Sequence, residues 1–567
     1  MAVKISQQSS TSILLGILAC VVIAIVIVMA SVPPVSRDAL THHLLVPKIW
    51  LEKGLLSELP SVPFSYYPMN LDLLYVIPLY FGNDIIPKYI HYAFALLTSF
   101  LIFRYLKKRL STRYALLGGL FFLSIPVVVK LSVTVYVDLG LIFFSTAALL
   151  SLLDWMEDNY RFKHMLLSAL YCGLALGTKY NGLIVFFILS CFVPFMYLRK
   201  FNEKILKKSL AIQARAAGWM MLFVVLSLVV FSPWMGRNTL LTGNPVYPLF
   251  NGFFKQARFQ NDVATAEDPS IAPRTNVQQQ KTPWRNFAIR KLIYGESLWQ
   301  IGLIPLRIFF EGKDDNPKHF DGRLSPFLLF LPLLLSLPGS KLDTQVSIEC
   351  RFLALFAIGY LIIVFFKVDM RIRWVGPMIP PLIILSMIGL SRLQMWSEKL
   401  IPRLSAVVVG CIVCGMLLLN ASYIHALYGK IEPMNFIAGR IDRDSYIKKF
   451  RPEYEVINFA NQYLDGSASI LALFIGNRIY YFNRDVETDI KILRESASCS
   501  GSAEQIRDQL INAGITHLLL RFDLFEFWAS KNLEAEKQEI LKIFFLKYAM
   551  PLESYGGYGL FQITIYG

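Results

Sequence analysis

Apolar runs recur along residues 12–422, separated by short polar or basic segments, and the pattern changes only near Pro433. Eleven runs approach or reach the length needed to cross a bilayer. They are Ser12–Ser31, Ile85–Leu106, Tyr114–Val129, Leu139–Trp155, His164–Thr178, Asn181–Leu198, Ala216–Pro233, Ser325–Leu337, Phe352–Phe366, Val375–Leu390 and Ser405–Ser422. The fold class expected is a polytopic α-helical membrane protein of about 11 transmembrane helices. The first run has no small-residue cleavage site directly after it, so it reads as an uncleaved span rather than a signal peptide. Leu71–Phe81 is too short to cross and reads as a helix that dips in or caps the bundle.

Two connections are long. Val32–Asn70 is studded with Trp50, Phe64, Tyr66 and Tyr67 and broken by prolines, which suits short helices on the membrane surface. Trp234–Leu324 contains the turn-rich Asn244–Pro248 and a polar stretch, Gln260–Lys281, expected to be mobile. From about Pro433 the periodicity is that of a small α/β domain. Tyr454–Leu464 and Ala503–Ala513 read as helices, the second ending at Gly514. Ile470–Phe474, His517–Arg521 and Leu560–Tyr566 read as strands. The domain organisation expected is a membrane domain over 1–430 and an extracytoplasmic α/β domain over 431–567.

Composition supports this division. The 567 residues are 55% hydrophobic and only 17% charged, which excludes a large soluble enzyme. The net charge of +16 does not signal nucleic acid, because Lys and Arg concentrate in short loops between apolar runs. With the N-terminus in the cytoplasm, the basic loops Lys107–Arg113, Arg161–Lys163, Arg199–Arg215, Lys341–Arg351 and Arg392–Arg403 all fall inside. Ser36–Asn70, Asp138, Lys179, Trp234–Leu324, Lys367–Trp374 and the C-terminus then share the outer face of the cytoplasmic membrane. The CxxC spacing of Cys411 and Cys414 lies inside a span with no second ligand pair, so it reads as packing or lipid-facing.

Candidate chemistry collects on that outer face. Ser36 reads as an N-cap that puts Asp38 in a first helical turn, with His42 on the same face and Pro47 bending or ending the helix. A carboxylate there is either a helix-start charge or a general base toward an acceptor. Asp138, in Thr134–Gly140, is either a second helix-start acid or a partner of Asp38. A divalent cation held by Asp38, Asp138 and His42 remains open, since nothing in the spacing sets a metal. Lys179, between Gly177 and Gly182, is either a snorkelling lysine or a phosphate ligand. Arg371 and Arg373 have the geometry to grip phosphate. His43, Lys48, Tyr67 and Tyr180 complete the expected substrate-binding set. The C-terminal domain has no GxGxxG, P-loop, HExxH or GxSxG motif. A lipid-phosphate leaving group would need no nucleotide site.

These residues carry a resemblance. The acid in SRDALTHHLLVPK, Asp138 before the fourth span, Gly173–Gly182, Gly243–Pro248, Asp321–Pro326 and Arg371–Pro381 resemble, in order and sidedness, the polytopic GT-C glycosyltransferases. That group includes protein O-mannosyltransferases and lipid A aminoarabinose transferases. The resemblance implies a glycosyltransferase that moves sugar from a polyprenyl-phosphate donor, with inversion, to a glycan, lipid or protein acceptor. It implies Asp38 as the catalytic or acceptor-activating acid, with Arg373 and Lys179 on the donor phosphate. Two positions depart from the pattern: Ala39 follows Asp38 where many members have Glu, and Tyr136 stands where the oligosaccharyl branch has an acid. A polymerase or ligase of lipid-linked glycans shares the same features. A lipid flippase or transporter instead requires polar groups near mid-membrane and an internal repeat, neither of which the sequence displays.

Overall fold

The computed structural model describes residues 2–201, 210–254, 283–338, 343–367 and 370–564. The expected mobile stretch, Gln260–Lys281, lies outside the described residues. The chain divides into two compact units. The first comprises Met1–Ala30, Tyr66–Leu71 and Lys88–Ile431. The second comprises Ser31–Ser65, Asp72–Pro87 and Glu432–Gly567.

The first unit is helical. Each of the eleven apolar runs contains or forms helix. Among the described residues, seven helices suffice by length and composition to cross a membrane, and a bent pair makes an eighth. Phe162–Leu176, Gly182–Leu198 and Phe327–Ser336 are apolar but shorter. The chain is an integral multi-pass membrane protein.

The bent pair is Thr112–Ser124 with Pro126–Ser132, which meet at 64°. Pro126 lacks an amide hydrogen and pushes Ile125 into an extended conformation, so the helix breaks there. The freed Val127 N–H donates to the carbonyl of Arg323 at 3.0 Å, from the segment Asp321–Pro326. Irregular backbone at membrane depth is tolerated where protein supplies its partners. Three buried hydroxyls are satisfied within their own helices: Ser145 bonds Leu141 O at 2.6 Å, Thr146 bonds Ile142 O at 2.7 Å, and Ser386 bonds Leu382 O at 2.7 Å. Polar residues therefore sit in the bundle without orphaned groups at these positions.

Near the basic end of helix Ile86–Arg109, Arg109 joins three helices. It donates to Glu349 through Nε (3.0 Å) and Nη2 (2.7 Å), and to Glu157 through Nη2 (2.6 Å). Glu349 is fully buried and also accepts from Tyr105 Oη at 2.6 Å and Gln345 Nε2 at 2.9 Å. The carboxylate is buried but multiply bonded, which is the condition under which a buried charge is tolerated.

The second unit holds a five-stranded sheet in the order β2-β1-β3-β5-β4: β1 Ile470–Leu473, β2 Val486–Glu487, β3 His517–Arg521, β4 Ala549–Tyr555 and β5 Tyr558–Ile563. β1 pairs parallel with β2 and β3, while β3–β5 and β5–β4 are antiparallel. The expected helices appear as Glu453–Tyr463 and Ala503–Asn512. The second starts at Ser502, whose side chain accepts the Gln505 N–H, and Gly514 beyond it has φ +79°. The last expected strand begins two residues early, at Tyr558, and Tyr566 lies outside the described residues. The strand β4, the amphipathic helix Ile490–Cys499 and the helix Ala535–Tyr548 go beyond the sequence expectation.

This unit also contains the first long connection as far as Ser65. Tyr481 Oη donates to Pro34 O (2.6 Å), Arg451 Nε to Val35 O (2.6 Å) and Tyr480 N–H to Leu40 O (3.3 Å). Arg443 pairs with Asp84 at 2.5 Å, and Lys53 with Asp485 at 3.0 Å.

Candidate active site

The expected site residues fall in both units. Asp138, Lys179, Tyr67, Tyr180, Arg371 and Arg373 belong to the first, and Asp38, His42, His43 and Lys48 to the second.

In the first unit, Asp138 opens helix Asp138–Glu157, where the helix dipole favours a carboxylate. Its Oδ1 accepts from Lys179 Nζ at 2.7 Å. Its Oδ2 is buried and has no hydrogen-bond partner among the described residues. Arg373 is the next cation acting on this carboxylate. Its guanidinium lies 5.1 Å from the centroid of Tyr136 and 5.9 Å from that of Trp374. Arg371 lies over Trp374 at 5.3 Å and 3.6 Å from Asp321 Oδ2. The two arginines thus have different surroundings: Arg373 shares the field of Asp138, and Arg371 faces the acid of the segment Asp321–Pro326.

Lys179 and Tyr180 lie between helices Phe162–Leu176 and Gly182–Leu198. Three glycines let this corner pack. A Cβ on Gly173 would lie 2.6 Å from Ser227 O, one on Gly177 2.2 Å from Asn70 Nδ2, and one on Gly182 2.5 Å from Ala175 O. Tyr180 Oη donates to Tyr247 O at 2.7 Å, and its ring stands 5.2 Å from that of Tyr67. Asn238 Nδ2 bonds Tyr66 O at 2.9 Å and Tyr180 Oη at 3.3 Å, while Trp234 Nε1 bonds Asn70 Oδ1 at 2.7 Å. The segment Gly243–Pro248 thereby backs the tyrosine pair. Burial pushes the Tyr67 phenol up, with Tyr247 adding to the effect, so it stays a neutral donor.

In the second unit the turn after Asp38 differs from expectation. It is a single π-turn, Ala39–His43, closed by Leu44 N–H to Ala39 O at 2.9 Å. The wider turn removes the four-residue spacing on which a shared face for Asp38 and His42 rested. Ser36 does not cap by its side chain: its Oγ is buried with no hydrogen-bond partner among the described residues. Pro47 neither ends nor bends a helix. It sits in the first turn of helix Leu45–Lys53, where no amide hydrogen is needed, and Gly54, at φ +106°, stops that helix.

His43 Nδ1 lies 2.7 Å from Asp72 Oδ1, and both residues are buried. His42 Nδ1 meets Thr41 Oγ1 at 2.8 Å, and its ring stacks on Phe64 at 4.5 Å. Lys48 Nζ donates to Phe482 O at 2.6 Å and Tyr480 O at 3.1 Å. Burial lowers its basicity, opposed by Glu52. Among the described residues there is no group of three or more His, Cys, Asp and Glu placed to hold a metal ion.

Three participants escaped the sequence reading: His91, whose ring bonds the backbone around Asp138, Asn238 behind the tyrosines, and Asp72 on His43. Asp72 had a legible signal, an acid in the first turn of helix Asn70–Tyr80. The other two look like ordinary polar residues within apolar helices.

Comparison with known proteins agrees with this architecture. Residues 81–236 match the family described as dolichyl-phosphate-mannose-protein mannosyltransferase. No curated protein matches the chain by sequence. Among solved structures, ArnT from Cupriavidus metallidurans in the apo state aligns over 96% of this chain and 97% of its own, at 14% identity and TM-score 0.53. The same protein bound to undecaprenyl phosphate aligns over 97% and 98%, at 13% identity and TM-score 0.52. The chain has the fold of these ArnT structures, and its residues 81–236 match the dolichyl-phosphate-mannose-protein mannosyltransferase family model.

Proposed function

We propose that this glycosyltransferase moves a sugar from a polyprenyl-phosphate donor to an acceptor hydroxyl or amine on the outer face of the cytoplasmic membrane, with inversion at the anomeric carbon. The observation that carries the reading is the Lys179–Asp138 pair, 2.7 Å apart, with Arg373 as the neighbouring cation, at the end of an apolar helix. Two cations there suit a phosphate whose lipid tail stays in the bilayer. The ArnT structure bound to undecaprenyl phosphate supports the same donor class.

In this mechanism the acceptor oxygen or nitrogen attacks the anomeric carbon opposite the phosphate. The carbon–oxygen bond to the phosphate breaks, and its electron pair leaves with the lipid phosphate. Lys179 and Arg373 neutralise the charge that develops on that phosphate, the role fixed cations play best in a site of low dielectric. Asp38 takes the proton released by the acceptor. A general base of this kind contributes on the order of 10²–10⁴ in rate. Tyr67 and Tyr180 line the donor side.

The test uses membranes supplied with a lipid-linked sugar. Asp38→Asn should retain folding and lose transfer by roughly 10² or more. Full transfer by that variant would remove Asp38 from catalysis. A labelled covalent product distinguishes transfer from lipid flipping, and the number of sugars added distinguishes single transfer from a polymerase or ligase.

A further inference from the structure

We propose that His91 is the positioning residue for both phosphate-binding cations, an inference that rests on the proposed binding of a lipid-phosphate donor. His91 is fully buried in helix Ile86–Arg109. Its Nε2 accepts the backbone N–H of Leu139 at 3.0 Å. That bond puts the lone pair on Nε2 and the proton on Nδ1. Nδ1 lies 3.1 Å from Leu131 O and 3.0 Å from Thr134 O, and donates to these carbonyls. The imidazole is thus held as one neutral tautomer, with both nitrogens bonded to backbone.

The three backbone groups bracket the irregular connector between helix Pro126–Ser132 and helix Asp138–Glu157. A connector without its own ladder needs outside partners for its backbone. This one carries Tyr136, over which Arg373 lies at 5.1 Å, and delivers Asp138, which holds Lys179 at 2.7 Å. One ring therefore sets two supports. The connector's shape fixes the ring under Arg373, and the Leu139 amide fixes the first turn that aims Asp138 at Lys179. An apolar residue at 91 could fill the space but would leave one amide and two carbonyls without this partner.

The test compares His91→Asn and His91→Gln in the full-length protein reconstituted with lipid donor. Asn retains a donor toward Leu131 and Thr134 but cannot reach the Leu139 amide, whereas the Gln amide oxygen can accept it. His91→Asn should raise the donor KM on the order of tenfold or more, with acceptor KM unchanged, because small misplacements of positioning groups are costly. His91→Gln should restore most of the donor affinity. An unchanged donor KM in folded His91→Asn, equal impairment of both variants, or parallel shifts in donor and acceptor KM would overturn the proposal. If His91→Asn does not fold, a double-mutant cycle of His91→Ser, which reaches neither the Leu139 amide nor the two carbonyls, with Tyr136→Leu decides: coupled effects on donor KM support the role, and additive ones overturn it. A wild-type protein that neither transfers sugar nor binds polyprenyl phosphate would sink the functional reading itself. A wild type that does both, with His91 variants unaltered, would sink only the role of His91.

Discussion

Lys179 meets Asp138 across 41 residues of sequence, Nζ to Oδ1 at 2.7 Å, with the aspartate side chain 2% exposed and the lysine side chain 21% exposed. The acid is the buried partner and the base the accessible one. A pair arranged this way holds a cation in place while leaving it open to an arriving anion.

Breaking the pair leaves one charge uncompensated in a site of low dielectric. Lys179→Met should destabilise the protein by about 3 kcal/mol, the lower end of the range for buried pairs, because Arg373 still acts on Asp138. The double variant Lys179→Met with Asp138→Leu should lose less than the sum of the single losses. Thermal unfolding in detergent without donor measures this, and additive losses would show that the pair is not coupled.

Arg373 rests on aromatic rings, so its replacement by Lys is not conservative. Arg373→Lys and Tyr136→Leu should each raise the donor KM, by roughly tenfold for the loss of a partly desolvated cation–π contact. Arg371→Lys should change it less, since Arg371 faces Asp321. Initial rates at varied lipid donor check the ranking, and an equal effect of Arg371→Lys and Arg373→Lys would contradict it.

The glycines of Gly173–Gly182 differ in what blocks them. At Gly182 an added methyl would meet Ala175 O at 2.5 Å, a backbone atom that cannot step aside. At Gly177 it would meet the Asn70 side chain at 2.2 Å, which can move by giving up its bond to Trp234. Both alanine variants should be destabilised by about 1–3 kcal/mol, with Gly182→Ala the more severe. Unfolding midpoints would reverse this order only if the helix corner repacks.

The sheet of the second unit should weaken in acid. Burial, with a smaller contribution from Arg484, lowers the basicity of His517 in β3. The folded state therefore prefers the neutral ring, and the unfolded chain takes up its proton first. Stability is complete above the unfolded value near 6.5 and falls as pH drops through it toward the folded value. Hydrogen exchange of the β3 amides in the full-length protein, compared at pH 7.5 and pH 5.5, should accelerate more in wild type than in His517→Gln. Equal acceleration would assign the acid sensitivity to another group.

The membrane helices were legible because each announces itself locally, as a run of apolar residues that can bury or face lipid whatever its neighbours do. The broken helix at Pro126 was not, because Pro126 lies inside a run whose hydropathy never falters. The first turn after Asp38 was misjudged for a related reason. Ser-x-Asp reads as a cap by composition, whereas the π-turn takes its geometry from backbone bonds. His91 and Asn238 were invisible because a lone polar residue in an apolar helix looks the same whether it bonds its own turn or another segment's backbone.

By itself the sequence determined the helical membrane class, the change of composition near Pro433, the strands β1 and β3, and a set of acids and bases placed at span ends. These follow from periodicity and hydropathy, which act over a few residues. The tertiary structure alone decided which charges meet. Asp138 took Lys179 as its partner, Tyr136 took Arg373, and Lys48 took the carbonyls of Tyr480 and Phe482, the last of these 434 residues away. An ion pair or a cation over a ring forms only where packing brings both groups within a few ångströms, and that depends on the packing of the whole fold, which no local pattern encodes.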